Sequence, residues 1–120
     1  MDSILNSIKK ALGPDTSYTV FDPELIMFIN TTIAALYQLG ASSDSLFEIT
    51  DENVKWSDYI TDTNMLSFVK TYMYAKVKLI FDPPQSSAAV EALNKIASEQ
   101  EWRITVRSDE LRKEAQILSK

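Results

Sequence analysis

Apolar residues recur at helical spacing in four stretches of the chain. In residues 3–12, Ile4, Leu5, Ile8, Ala11 and Leu12 share one face; Asp2 or Ser3 can cap the start, and Gly13-Pro14 ends the segment. Residues 23–39 put Leu25, Ile26, Phe28, Ile29, Ile33, Leu36, Tyr37 and Leu39 on one broad side, with Glu24, Asn30, Thr31 and Gln38 opposite. Asp22 is placed to cap this helix, Pro23 suits its first turn, and Gly40 suits its end. In residues 63–81, Leu66, Val69, Met73 and Ile80 form a seam that Phe68, Tyr72 and Leu79 widen past half the circumference. So broad an apolar girth predicts the central helix of a bundle. The fourth helix, residues 87–106, is capped by Ser86 or Ser87 and carries Val90, Leu93, Ile96, Ala97 and Ile104 on its inner stripe.

Between the second and third helices the period changes. Phe47 and Ile49 alternate with polar neighbours, "TDEN" makes a turn, and Val54 and Trp56 alternate again. This predicts a short β-hairpin over residues 46–57, with an irregular loop pinned by Phe47 and Trp56 as the alternative. Residues 57–60 suit one helical turn. Past Val106 the chain is charged, with only Leu111, Ala115 and Leu118 on a thin stripe. The expected fold is all-α: a bundle of about four helices in residues 1–106, followed by a polar C-terminal arm, 107–120, read as either a tail or a marginal helix that orders on assembly.

Composition narrows the chemistry. The 120 residues include no cysteine and no histidine, which removes disulfides, thiolate sites, the commonest general base and the commonest transition-metal ligand. Two glycines cannot build a phosphate cradle, and no metalloprotease, nucleophile-elbow, Walker or EF-hand pattern occurs. The expectation is no catalytic residue, no metal and no cofactor. A net charge of −5 with scattered lysines and arginines argues against gripping nucleic acid through its phosphates. The opening "MDSILNSIKK" lacks the apolar core of a signal peptide, and no apolar run is long enough to span a bilayer. Synthesis on the cytoplasmic side, without a membrane, is therefore expected.

Three side chains stand where simple burial would not put them. Trp102 projects opposite the inner stripe of the fourth helix, among Glu91, Lys95, Ser98 and Glu99. Either the helix bends, or another segment covers it, or Trp102 anchors a contact with another chain. Lys76 lies inside the apolar arc of the third helix, and either its stem packs while its ammonium snorkels, or it points across a subunit boundary. Met27 sits on the polar side of the second helix. Together they suggest an interface and assembly. The corner Asp82-Pro83-Pro84 restricts the backbone strongly, and either simply stops the third helix or also fixes the angle between the third and fourth helices.

Read in order, "DPELIMFINTTIAALYQLG", "WSDYI", "VKTYMYAKVKLIFDPPQSS" and "SEQEWRI" resemble the head–tail connector proteins of long-tailed bacteriophages, also called adaptor or head-completion proteins. The resemblance covers residues 20–104, and its most specific part is the stretch ending in "FDPPQ". It implies a helical virion protein made in the bacterial host, forming a ring of about twelve subunits beneath the portal by a contact that closes by rotation. The ring extends the DNA channel without binding DNA specifically, and joins the filled head to the stopper or tail. By the same resemblance Arg107, Leu111, Arg112, Lys113 and Leu118 belong to an arm that docks on the portal. An acidic helical protein that neutralises a partner, of the immunity or anti-repressor type, is the alternative. A DNA-binding regulator and an enzyme fit the residues less well.

Overall fold

A computed structural model describes residues 2–13 and 17–118. Its helices are α1 (Ile4–Leu12), α2 (Asp22–Leu39), α3 (Trp56–Tyr59), α4 (Thr63–Phe81) and α5 (Ser87–Leu118). The fold is an all-α bundle, and no strand occurs among the described residues. At 1.5 Å per residue α5 alone spans about 48 Å, close to the 50 Å long dimension of the molecule.

Local chemistry sets the helix ends. Ser3 caps α1 by accepting the Asn6 N–H at 3.2 Å, and Gly13 closes it with φ +104°. Asp22 is the first residue of α2 and not its cap; its carboxylate instead meets Lys9 of α1 at 2.9 Å. Asp62 caps α4 by accepting the Met65 N–H at 2.9 Å.

In place of a hairpin, residues 41–54 form an irregular loop. The Asn30 side chain supplies what a partner strand would: it donates to the Ile49 carbonyl (2.9 Å) and accepts from the Ile49 N–H (2.8 Å). Phe47 stacks on Tyr59 of α3, with 4.5 Å between ring centres, and so pins the loop to the bundle. The extended piece before α3 pairs with the chain start, through Ile4 N–H to the Val54 carbonyl (3.1 Å) and Trp56 N–H to the Asp2 carbonyl (2.9 Å). Trp56 is buried there, its indole N–H donating to Ser7 Oγ at 3.1 Å.

Helix α4 is the centre: it packs against α1, α2 and α5. Val69, Met73, Ala75 and Val77 are fully buried, and Ile29, Leu36 and Ile104 close on them from α2 and α5. Both α2 and α5 run antiparallel to α4. Phe21 meets Phe81 at one end of the bundle (5.6 Å between ring centres), and Arg107 meets Asp62 at the other.

The largest departure from the sequence expectation is the length of the last helix, which continues without a break from Val106 to Leu118. Arg107 pairs with Asp62, Ser108 is buried against Gly40, and Leu111 packs on the core. Beyond them Asp109 meets Arg112 and Lys113 one helical turn away, at 3.6 and 3.1 Å. Such pairs add a few tenths of a kcal/mol each, of the order of 0.3–0.5.

Candidate assembly interface

Trp102 is 66% exposed, as its projection from the inner stripe requires. Neither α1 nor the continuation of α5 covers it. It borders a shallow cavity of about 160 Å³ with Asn64, Phe68 and Val106. Beside it the Arg103 guanidinium lies 6.0 Å from the Phe68 ring and donates to Glu99 Oε1 at 2.7 and 3.2 Å. That fixes an arginine next to an indole whose face is open to contact.

Met27 is also exposed, on α2. Lys76 is half-buried on α4, with its Nζ 5.9 Å from the centre of the Tyr72 ring, so its stem packs along the helix while its charge stays at an aromatic face. The three residues thus sit on three different helices, one each on α2, α4 and α5.

The proline corner is held at both ends. Asp82 closes α4, its N–H reaching the Lys78 carbonyl at 3.0 Å while its carboxylate takes the Lys78 ammonium at 2.8 Å. On the far side Ser86, outside the helix, accepts the Ala89 N–H at 3.3 Å and starts α5. The Phe81 ring, just before the corner, meets Phe21, the residue before α2, and Phe28 of α2 at 5.6 and 6.5 Å.

The arm residues divide. Arg107 and Leu111 face the bundle, whereas Arg112, Lys113 and Leu118 face solvent, Leu118 being 86% exposed. Between the arm and the end of α2 lies an open groove of about 670 Å³ bordered by Tyr37, Ser42, Leu111 and Ala115.

A second groove went unnoticed in the sequence. It holds about 310 Å³ between Ile33, Ala34 and Tyr37 of α2 and Leu46 and Phe47 of the loop, with Asp44 and Glu48 on its rim. Leu46 is 86% exposed beside it. A sequence signal for this surface exists in the charge distribution. Residues 11–54 contain seven carboxylates and not one lysine or arginine, so they carry −7 while the rest of the chain carries +2. Helix α4 is the counterpart, with three lysines and no carboxylate.

Among the described residues no group of histidine, cysteine, aspartate and glutamate side chains could hold a metal ion. The buried tyrosines are not poised for proton transfer. Burial pushes the Tyr59 hydroxyl up, and burial followed by the neighbouring Glu101 pushes Tyr72 up, so both stay protonated. No helix of the described residues is long and apolar enough to cross a membrane.

A family model described as phage connector protein matches residues 4–111, from the first residue of α1 to the last arm residue packed on the bundle. Neither the comparison with curated proteins nor that with solved structures returned a match.

Proposed function

This chain belongs to the phage connector protein family, and from that premise we propose that it forms a ring beneath the portal. In that reading the ring prolongs the DNA channel and joins the filled head to the stopper or tail. The observation that carries it is the extent of the family match, which runs across every helix and the root of the arm. A closed ring needs two unlike faces on each subunit. Trp102 on α5 and Met27 on α2 supply exposed apolar groups on separate helices, and Lys76 adds a charge on α4. The net charge of −5 suits passage of DNA without adhesion, because like charge repels it. The exposed end of the arm, with Arg112, Lys113 and Leu118, is free to dock on the portal after Arg107 and Leu111 have anchored its root.

Sedimentation velocity over a wide concentration range, with and without the cognate portal protein, tests this reading. Rings in negative-stain images, alone or on the portal, are the expected result. A tight dimer unchanged by dilution and indifferent to the portal overturns it in favour of a partner-neutralising protein. Removing residues 112–120 leaves the anchored root in place, and should abolish portal binding while the bundle still melts cooperatively. Trp102→Ala should abolish assembly and change monomer stability by less than about 0.5 kcal/mol, as surface substitutions do. The buried Trp56→Ala should cost about 3–5 kcal/mol.

A further inference from the structure

We infer that the groove between α2 and the 41–54 loop is the socket for Trp102 of a neighbouring copy, an inference that rests on the ring reading and names the contact that builds the ring. Three observations converge. The first is fit. The groove spans about 310 Å³, with Ile33 and Ala34 on one side and Leu46 and Phe47 on the other, while Asn30, Asp44, Ser45 and Glu48 make the rest of its lining polar. Such a space suits one indole, a side chain that buries on the order of 150–250 Å² and acts as an interface anchor. Trp102 is two-thirds exposed and Leu46 more so, so each face leaves its apolar group in water.

The second is charge. Asp44 and Glu48 stand on the groove rim, within the 44-residue stretch that has no lysine or arginine. Next to Trp102 in the chain is Arg103, held in place by Glu99 and the Phe68 ring, with 44% of its side chain exposed. Seating the indole brings this guanidinium to the acidic rim. Opposite potentials across the contact steer encounter and fix its register. Two acidic grooves facing each other would repel, which disfavours a groove-on-groove contact.

The third is connectivity. Socket and anchor share no residue: one is built by α2 and the loop, the other by α5 beside α4. After one such contact, the copy whose Trp102 is seated still offers its socket, and the copy whose socket is filled still offers its Trp102. A contact of this head-to-tail kind propagates, and closes into a ring when the rotation per step divides a circle.

The chain contains no cysteine, so introduced thiols report on this contact alone. Thr105→Cys stands one turn from Trp102 on the exposed face of α5, and Ala34→Cys stands exposed in the groove wall. Mixed under oxidising conditions, the two variants should give a disulfide-linked dimer, while Thr105→Cys mixed with the exposed Thr71→Cys of α4 should not. Adding Trp102→Ala to the Thr105→Cys partner should cut the yield at least tenfold. Asp44→Lys with Glu48→Lys in the socket should also cut it, and Arg103→Glu in the partner should restore part of it.

Rings that form while Ala34→Cys never crosslinks overturn the socket and leave the ring reading standing. Absence of both association and crosslinking, with the portal present, overturns both. Crosslinking that survives Trp102→Ala but is lost when residues 112–120 are removed makes the arm the occupant, and overturns the assignment to Trp102.

Discussion

Arg107 closes a two-point fork on Asp62: Nη2 lies 2.8 Å from Oδ1 and Nε 3.0 Å from Oδ2. The same Oδ2 accepts the Met65 N–H, so one carboxylate caps α4 and moors α5 forty-five residues away. Arg107 is the first residue past the helix end expected from the sequence. The fork is one reason that the helix does not stop there.

The pairing makes the mooring sensitive to acid. The Arg107 hydrogen bonds, then the Met65 N–H, hold the Asp62 carboxyl down from 3.8 to about 2. A group whose pKa is depressed by folding contributes fully above its unfolded value, and loses that contribution as pH falls through its folded one. The loss therefore falls between about pH 4 and pH 2. Screening over the exposed quarter of the Asp62 side chain leaves roughly 1 kcal/mol at stake. In that window amide exchange in the turn at Arg107 to Leu111 should rise before exchange at Leu93 and Ala97. Asp62→Asn keeps a good cap and loses only the fork, so it should abolish the pH dependence at small cost. Asp62→Ala should lose a further 0.5–2 kcal/mol or so of capping. Wild-type pH dependence in Asp62→Asn would show that the fork adds nothing beyond the cap.

Gly40 ends α2 with φ +91°, and a Cβ added there would collide with the Ser108 hydroxyl and lie 3.0 Å from its Cβ. Gly40→Ala thus combines a left-handed backbone, which costs an L-residue roughly 1–2 kcal/mol, with displacement of α5. Gly13 has a similar φ of +104° but nothing within 4 Å of the added atom, so Gly13→Ala isolates the backbone cost. Thermal melts should show Gly40→Ala the more damaging of the two, with Ser108→Ala recovering part of the difference. Equal melting temperatures would mean that α5 yields freely at this point.

The bundle was legible because its signals are local. Periodicity, Ser3, Gly13, Gly40 and the prolines mark α1, α2, α4 and the start of α5 within a residue or two, and the girth of α4 marked it as central. What escaped depends on distant partners. Nothing near Arg107 says that Asp62 will meet it, so the charged end of the chain reads as too polar to fold. Asn30 lies on the polar side of α2 and gives no hint that it will satisfy Ile49 and replace a hairpin. Trp102 was visible as an exception to its stripe. The groove that we assign to it was not, because its walls are 9 to 14 residues apart and only the missing lysines and arginines betray them.

Lys9 is 2% exposed and paired with Asp22, an arrangement that periodicity does not reveal. Taking both charges out of water is expensive, and a buried pair often contributes little net stability relative to apolar groups of similar shape. Removal of one partner is asymmetric. Lys9→Met should be near neutral, since its stem is already surrounded by core and Asp22 keeps partial access to water. Asp22→Ala removes the carboxylate from a buried ammonium and should be the more costly of the two changes. Denaturant melts of the two variants decide it, and a larger loss for Lys9→Met would show that the ion pair itself holds α1 on α2.

The corner at Asp82-Pro83-Pro84 acts through the unfolded chain as much as through the folded one. No side-chain hydrogen bond depends on either proline; the ends are fixed by Asp82 with Lys78 and by Ser86 with Ala89. Each proline restricts the unfolded backbone, so Pro83→Ala and Pro84→Ala should each lose roughly 0.4–1 kcal/mol with unchanged core packing. If the corner also sets the angle at which α5 presents Trp102, the double variant should keep its helicity and its buried Trp56 emission yet assemble poorly. Full assembly by the double variant would reduce the corner to a helix stop, with the α4–α5 packing alone holding the angle.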